Sequence, residues 1–299
     1  MPVPVPSTAI PFAVACVGIA LFSAMDVAMK GLAIALGAYN AMLWRVLIGV
    51  VLAAIPYAVT RTGWPSRSGL RIHFVRGAVT AVMAVSFFYG IARVPLAEGI
   101  ALSFIAPLIA LYLAAVLLGE TIARRAIFAS VIALGGVAVL VVTRARGDFG
   151  PESLAGVAAI LLSAVFYAYN IILMRQQALL ALPTEVAFFQ NVTTSLYLLL
   201  AAPFLAVVPS VEYLPALTLS AVLAITSLLL LSWAYARAEA QVLVPVEYTA
   251  FVWAALLGAI FFAEAVTAAT LAGAALIVTG CIVAARGDKR DINRLEAAL

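Results

Sequence analysis

The sequence predicts an all-α integral membrane protein: ten transmembrane helices in two inverted five-helix repeats around a central cavity. Three observations carry that expectation. Two thirds of the 299 residues are apolar and one tenth are charged, with a mean hydropathy of +1.19. A soluble domain carries about a quarter charged residues, so the main solvent of this chain is lipid. Cutting the chain at charges, Pro and Gly leaves ten apolar runs of about 20 residues, the length that crosses a hydrocarbon core of about 30 Å. Finally, Ala97 to Glu120, AEGIALSFIAPLIALYLAAVLLGE, returns 144 residues later as Gln241 to Glu264, with the same length, apolar filling and terminal Glu.

The ungapped register of that repeat pairs Arg93 with Arg237, Phe104 with Tyr248, Glu120 with Glu264 and Gly136 with Gly280. Identity from Ala92 to Val139 is nine positions, several of them Ala. The weight therefore rests on the charged matches, which membrane segments carry only at a cost.

In chain order the spans are Pro11 to Met29, Tyr39 to Thr60, His73 to Ala92, Ala97 to Leu118, Arg125 to Thr143, Ser153 to Met174, Thr184 to Val208, Tyr213 to Ala236, Gln241 to Phe262 and Val266 to Ala285. The first follows MPVPVPSTAI, which has no Lys or Arg and so lacks the charged leader of a secretory signal peptide; it is expected to stay. Arg61 to Arg71, with a Gly63, Trp64 and Pro65 turn, separates the second and third spans, and Arg144 to Glu152, with GDFGP, separates the fifth and sixth. Other connections are short. His73, beside Arg71 and Arg76, reads as an interfacial residue. Small residues of the fifth and tenth spans, including Ala269 and Gly273, permit close helix packing. Cys16 and Cys281 stand far apart in apolar surroundings and read as inert thiols.

Orientation follows from the cations, which are retained on the cytoplasmic side. An inside N-terminus places twelve of the 17 basic residues inside and leaves Lys30, Arg45, Arg93, Arg144 and Arg146 outside. Both termini are thus expected in the cytoplasm, in a cell (inner) membrane. A shift of 144 residues spans five helices, and an odd number of crossings inverts the second copy. Lys30 and Arg175 extend the correspondence to the first and sixth spans. The halves are residues 1–147 and 148–285, followed by a polar cytoplasmic tail, 286–299. Inverted repeats offer two near-equivalent packings, one open to each side, which is the physical basis of alternating access.

Candidate substrate contacts lie where polar or aromatic side chains interrupt aliphatic spans. In the fourth span, Pro107 lacks the N–H that would bond the Ser103 carbonyl, so a mid-helix kink is expected there, with a carbonyl and a hydroxyl beside Phe104. The plain alternative is a packing kink satisfied by a neighbouring hydroxyl. In the ninth span Glu247, Tyr248 and Phe251 occupy the places of Ser103, Phe104 and Pro107. An acid there pairs with a substrate ammonium or a proton, or merely lines a vestibule. The sixth span puts Ser163, Phe166, Tyr167 and Asn170 on one face, a mixture that suits a small-molecule pocket. Within it, Tyr169 and Asn170 read as interface residues. Met83 and Phe87 share a face of the third span with Thr80 and Ser86 nearby, and the eighth offers Thr226, Ser227, Ser232 and Trp233. Each of these serves packing as readily as a cavity wall. Asp26 and Lys30, at i and i+4, read first as a structural pair; Asp26 and Glu247 are the candidate coupling residues. Arg93, Arg237, Glu120 and Glu264 read as helix-end or inter-helix pairs.

Other classes are disfavoured. Seventeen basic residues scattered between apolar runs make no basic face for nucleic acid. The sequence has no HExxH, Walker A loop, GxSxG, Cys/His cluster or close acid pair, so neither enzyme chemistry nor a cofactor or metal is expected. The partners expected are a small-molecule substrate and the bilayer.

The doubled set of apolar helices, Lys30 ending the first span, Arg45 opening the second, the run Pro107 to Glu120, the Gly135–Gly136 pair, and Ala92–Arg93 echoed by Ala236–Arg237 together resemble the drug/metabolite transporter superfamily. Within it the chain is similar to the ten-helix EamA-type exporters, nearest the amino-acid exporter branch. The resemblance covers nearly the whole chain and implies a secondary transporter exporting small metabolites, amino acids including aromatic or hydrophobic ones, with a multidrug or lipophilic-cation exporter as the alternative. The related four-helix multidrug exporters carry an acid eight residues before the Lys matching Lys30. Here that position is Phe22, which leaves both proton coupling and facilitated movement open.

Overall fold

An unpaired backbone N–H or C=O in hydrocarbon costs several kcal/mol, so an apolar chain closes its hydrogen bonds within helices. The computed structural model, which describes residues 9–61, 63–118, 124–146, 150–178, 180–235, 246 and 248–286, follows that rule, with no strand among the described residues. The helices are α1 (Ala9–Leu36), α2 (Ala38–Thr60), α3 (Arg67–Ile91), α4 (Leu96–Ser103), α5 (Ala106–Leu118), α6 (Arg124–Arg146), α7 (Gly150–Ala178), α8 (Pro183–Leu205), a short 3-10 turn (Val211–Tyr213), α9 (Leu214–Tyr235), α10 (Thr249–Phe262) and α11 (Ala268–Arg286). Six stretches, in α1, α2, α3, α7, α8 and α9 with its 3-10 turn, are long and apolar enough to cross a bilayer. Shorter apolar stretches at Leu96–Ala110, Ser130–Thr143, Thr249–Phe262 and Ala268–Gly280 complete a one-for-one match to the expected spans.

Local chemistry sets the ends. A single residue, Gly37, joins α1 to α2 with φ at +79°, a conformation that glycine takes without a Cβ clash. Pro183 opens α8, where its missing N–H costs nothing. α10 stops at Ala263, a non-glycine residue with φ 53° and ψ 32°.

The fourth span departs from expectation. The chain does not kink at Pro107 in mid-helix; it breaks at Phe104 and Ile105, and α5 begins at Ala106. Tighter bonds from the Phe104 N–H to the Ala101 carbonyl and from the Ile105 N–H to the Leu102 carbonyl close α4. Pro107 then falls in the first turn of α5, where an N–H has no intrahelical partner to lose.

Two compact units divide the chain, Met1–Ala78 with Gln177–Ala263, and Val79–Gln176 with Glu264–Leu299. Each draws on both halves of the sequence. In the first, α1 packs against α9, α2 and α10, while α2 packs against α8 and α9. A core of Ala15, Ile19, Ala234 and Val246 holds α1 to the later helices, and the Ser227 hydroxyl donates to the Gly18 carbonyl at 2.8 Å. The start of α2 ties down the end of α8: Tyr39 OH donates to the Leu198 carbonyl at 2.6 Å and Trp44 Nε1 to the Val207 carbonyl at 2.9 Å. In the second unit α11 packs along α6 and against α4. A Cβ on Gly136 would lie 2.8 Å from Ile277 Cγ1 and 3.0 Å from its backbone N, so only glycine permits that approach.

The packing within units bears on the repeat. Shifting α2 by 144 residues lands on α8, and shifting α6 lands on α11. Each of these pairs of equivalent helices is in contact. An element beside a two-fold axis meets its own copy, so these pairings are what two-fold-related repeats produce.

Candidate functional site

Most residues expected to touch substrate lie in the second unit. Met83 and Phe87, one turn apart on α3, are half-buried, and the Phe87 ring meets Phe88 edge-on at 5.5 Å. Ser163 is buried on α7 and donates to the Met83 carbonyl at 2.8 Å, which brings two expected residues together. Ser103 donates to the Gly99 carbonyl one turn back, at 2.9 Å. A hydroxyl has one proton, so both serines have used their donors on backbone and retain only acceptor lone pairs for a ligand. Phe104, Phe166 and Tyr167 are half-buried. Asn170, expected at an interface, is instead buried, its amide directed toward Met174 Sδ at 3.7 Å. Thr80 Oγ1 is buried with no hydrogen-bond partner among the described residues.

The helix-end residues that marked the repeat act between helices. Arg93 Nε donates to Glu152 Oε2 at 2.7 Å and its guanidinium lies 3.5 Å from the centre of the Tyr89 ring. Glu264 Oε2 accepts the Leu96 N–H at 2.7 Å, satisfying the first turn of α4, where Pro95 supplies no side-chain cap. Arg237 and Glu120, their repeat equivalents, lie outside the described residues.

In the first unit, Tyr248 precedes α10 and Phe251 sits in its first turn, its N–H bonded to the Tyr248 carbonyl at 3.2 Å. Both side chains are half-buried. Glu247 lies outside the described residues, as does the Ser232 side chain. Thr226 and Trp233 are exposed.

His73, expected at the membrane interface, is buried within the protein. It is 1% exposed, because two other helices, α7 and α8, supply what an imidazole needs. Gln177 Nε2 donates to Nδ1 at 2.6 Å, Glu185 Oε1 stands 3.1 Å from Nε2, and Phe189 stacks on the ring at 4.8 Å. Arg76 donates to the Gln177 oxygen. Arginine can only donate, so the amide oxygen faces Arg76, the amide nitrogen faces His73, and the imidazole proton sits on Nε2 toward Glu185.

The other buried charge cluster lies on α1 and α2. Ser23 and Asp26, at i and i+3 on one face of α1, are each 2% exposed, and Ser23 Oγ and Asp26 Oδ1 have no hydrogen-bond partner among the described residues. The opposite charge that acts on Asp26 comes from Arg45 of α2. That guanidinium donates through Nη2 to Met42 Sδ at 3.0 Å, while its buried Nε finds no acceptor among the described residues. Lys30, expected beside Asp26, is also buried and holds its ammonium 5.2 Å from the centre of the Phe262 ring. Phe22, at the position where related four-helix exporters carry an acid, is 44% exposed. The spacing of Ser23, Asp26 and Lys30 down one helix face was a signal in the sequence; the reach of Arg45 across to that face was not.

A doubled transmembrane unit with polar groups buried in its helices is the organisation of a carrier, and comparison with known proteins decides which. The model of the EamA-like transporter family matches this chain twice, over residues 10–142 and 154–286. The chain belongs to that family. The starts of the two matches are 144 residues apart, the same shift that aligns Arg93 with Arg237. This EamA-like transporter is 28% identical to the pseudopaline exporter CntI of Pseudomonas aeruginosa, in strains UCBPP-PA14 and PAO1, over 90% of this chain and 93% of the relative. It is 27% identical to an uncharacterized transporter of Helicobacter pylori strain 26695, over 70% of this chain and 71% of that one. A protein of known crystal structure shares the fold at a TM-score of 0.61 and 21% identity, over 95% of this chain and 99% of its own. The EamA-like transporter is therefore a multi-pass membrane protein that moves small molecules, and not an enzyme.

Proposed function

We propose that this transporter exports small polar metabolites, foremost amino acids including aromatic and hydrophobic ones, across the inner membrane by alternating access, with both termini in the cytoplasm. The observation that carries the reading is the duplication of the family unit at a shift of 144 residues, because paired repeats of this kind supply two near-equivalent packings. The direction, export, is supported by similarity to proteins whose name is pseudopaline exporter. The orientation rests on the distribution of Lys and Arg, and the halves on the register of the repeat, residues 1–147 and 148–285.

Substrate contact is assigned to Met83, Phe87, Ser103, Phe104, Pro107, Ser163, Phe166 and Tyr167 in the second unit, and to Tyr248 and Phe251 in the first. Aromatic walls bind the apolar part of an amino acid, and acceptor lone pairs on the serines meet its donors. Asp26 and Glu247 are the candidate coupling residues. Counterflow in proteoliposomes with a panel of labelled amino acids, with and without an imposed pH gradient, tests the reading. Exchange of several amino acids is the expected result, and exchange that persists in Asp26→Asn or Glu247→Gln at saturating substrate but no longer responds to the pH gradient would locate coupling. Absence of exchange across the panel, with lipophilic cations transported instead, refutes it.

A further inference from the structure

Burying a charge is tolerated when partners replace its water; a buried carboxylate oxygen and a buried guanidinium N–H left open are therefore an arrangement awaiting a partner. Such a place exists between α1 and α2. Asp26 Oδ1 and Ser23 Oγ lie on one helix face, both residues 2% exposed, and neither atom has a hydrogen-bond partner among the described residues. Across from them Arg45 acts on Asp26 by charge, yet its Nε is unmatched and its only hydrogen bond among the described residues runs to the weak thioether acceptor of Met42.

We propose that Ser23, Asp26 and Arg45 form a recognition site for a zwitterionic head group, with an ammonium held by Asp26 and Ser23 and a carboxylate held by Arg45. This rests on, and deepens, the transport reading above, because it names the part of the substrate that decides entry. The selectivity follows from charge. A bare amine satisfies Asp26 but leaves the guanidinium facing nothing. A bare carboxylate leaves Asp26 with a like charge as its neighbour. An α-amino acid head, or a longer molecule presenting an amine close to a carboxylate, completes both at once and keeps the cluster's net charge unchanged. Lys30 stands one turn further along α1 with its ammonium directed to the Phe262 ring, so the planar guanidinium is the donor suited to bind a carboxylate edge-on.

The test is ligand-induced thermal stabilisation of the purified full chain, which reads binding without requiring transport. Three probes of matched apolar part are used: phenylalanine, 2-phenylethylamine and 3-phenylpropionate. The wild type is expected to be stabilised by phenylalanine and not by the other two. Asp26→Asn and Arg45→Gln are each expected to weaken phenylalanine binding about ten- to a hundredfold, the worth of a lost hydrogen bond to a charged group, and Arg45→Gln to raise the amine relative to the zwitterion. Wild type binding the amine or the acid as tightly as phenylalanine, or binding none of the three, overturns the proposal even where the variants fail to fold. Phenylalanine binding that is unchanged in both variants overturns it too, while counterflow that persists would leave the transport reading standing.

Discussion

Glu264 offers the sharpest quantitative test, because its bond to the Leu96 N–H can be read on its own by local exchange. Its carboxylate accepts the Leu96 N–H at 2.7 Å at the start of α4, and Leu96 itself is 0% exposed. Glu264→Ala leaves that N–H buried with no water to replace the acceptor, a cost of about 1–3 kcal/mol. Loss of a negative charge from a helix N-terminus adds about 0.3–1 kcal/mol. Glu264→Gln keeps an acceptor oxygen and gives up the charge, so its cost is the smaller part, about 1 kcal/mol or less. Hydrogen exchange followed by mass spectrometry over Leu96–Ser103, in detergent, reads the effect. If α4 opens locally, Glu264→Ala exchanges roughly ten- to several-hundredfold faster than wild type, since 1.4 kcal/mol is a factor of ten, and Glu264→Gln lies between. Equal exchange in wild type and Glu264→Ala would refute the capping argument. Equal acceleration in both variants would show that charge, and not the hydrogen bond, is what holds the turn.

The remaining expectations concern packing and backbone. Gly136→Val puts a branched side chain against Ile277 and the backbone of α11, with Ile277 N 3.0 Å from the Cβ position; backbone cannot yield, so a clear loss of thermal stability, from a cost of about 1–3 kcal/mol or more, is expected in detergent melts. Ala263→Gly removes the Cβ clash of a left-handed residue at φ 53° and should raise the melting temperature, with a gain of about 1 kcal/mol; a lower melting temperature would contradict the observed end of α10. Pro107→Ala should leave stability nearly unchanged, because proline in the first turn of α5 gives up no hydrogen bond. A large stabilisation on that substitution would mean that the helix is continuous and strained at Pro107.

Much of the fold was legible because the physics behind it is one-dimensional. A segment of some twenty apolar residues, and a second copy at a fixed shift, are properties of the chain read in order. The ten apolar stretches and the family's two matches, over residues 10–142 and 154–286, follow from those properties. What the chain does not write in order is how each helix is turned about its own axis. In a soluble helix the apolar stripe states that rotation. In a helix apolar on every side it does not, and polar contacts and small residues settle it instead. Hence His73, expected at the start of the third span, lies inside α3 (Arg67–Ile91) in surroundings the chain order does not show, because Gln177 and Glu185 arrive from distant segments. The same reason explains Asp26. Its i+4 neighbour Lys30 was the partner visible along the helix, while the charge acting on it, Arg45, comes from the next one.

The break in the fourth span shows the same limit at shorter range. Proline forbids an N–H bond at its own position, and that much is local chemistry. Whether the chain answers with a kink at the proline or with a new helix begun just before it depends on what holds the preceding turn. Here α4 is fixed from outside, by a carboxylate that arrives from residue 264 to cap Leu96. The cap fixes where α4 starts, the tighter turn at Phe104 and Ile105 ends it, and Pro107 is left to begin α5. The residue that first revealed the repeat by matching Glu120 thus also sets where the fourth span begins. An acid at a helix end can serve as a cap, which moves the weight of transport chemistry away from the ends of the repeat and toward the charges within it, buried Asp26 and half-buried Arg45 first among them.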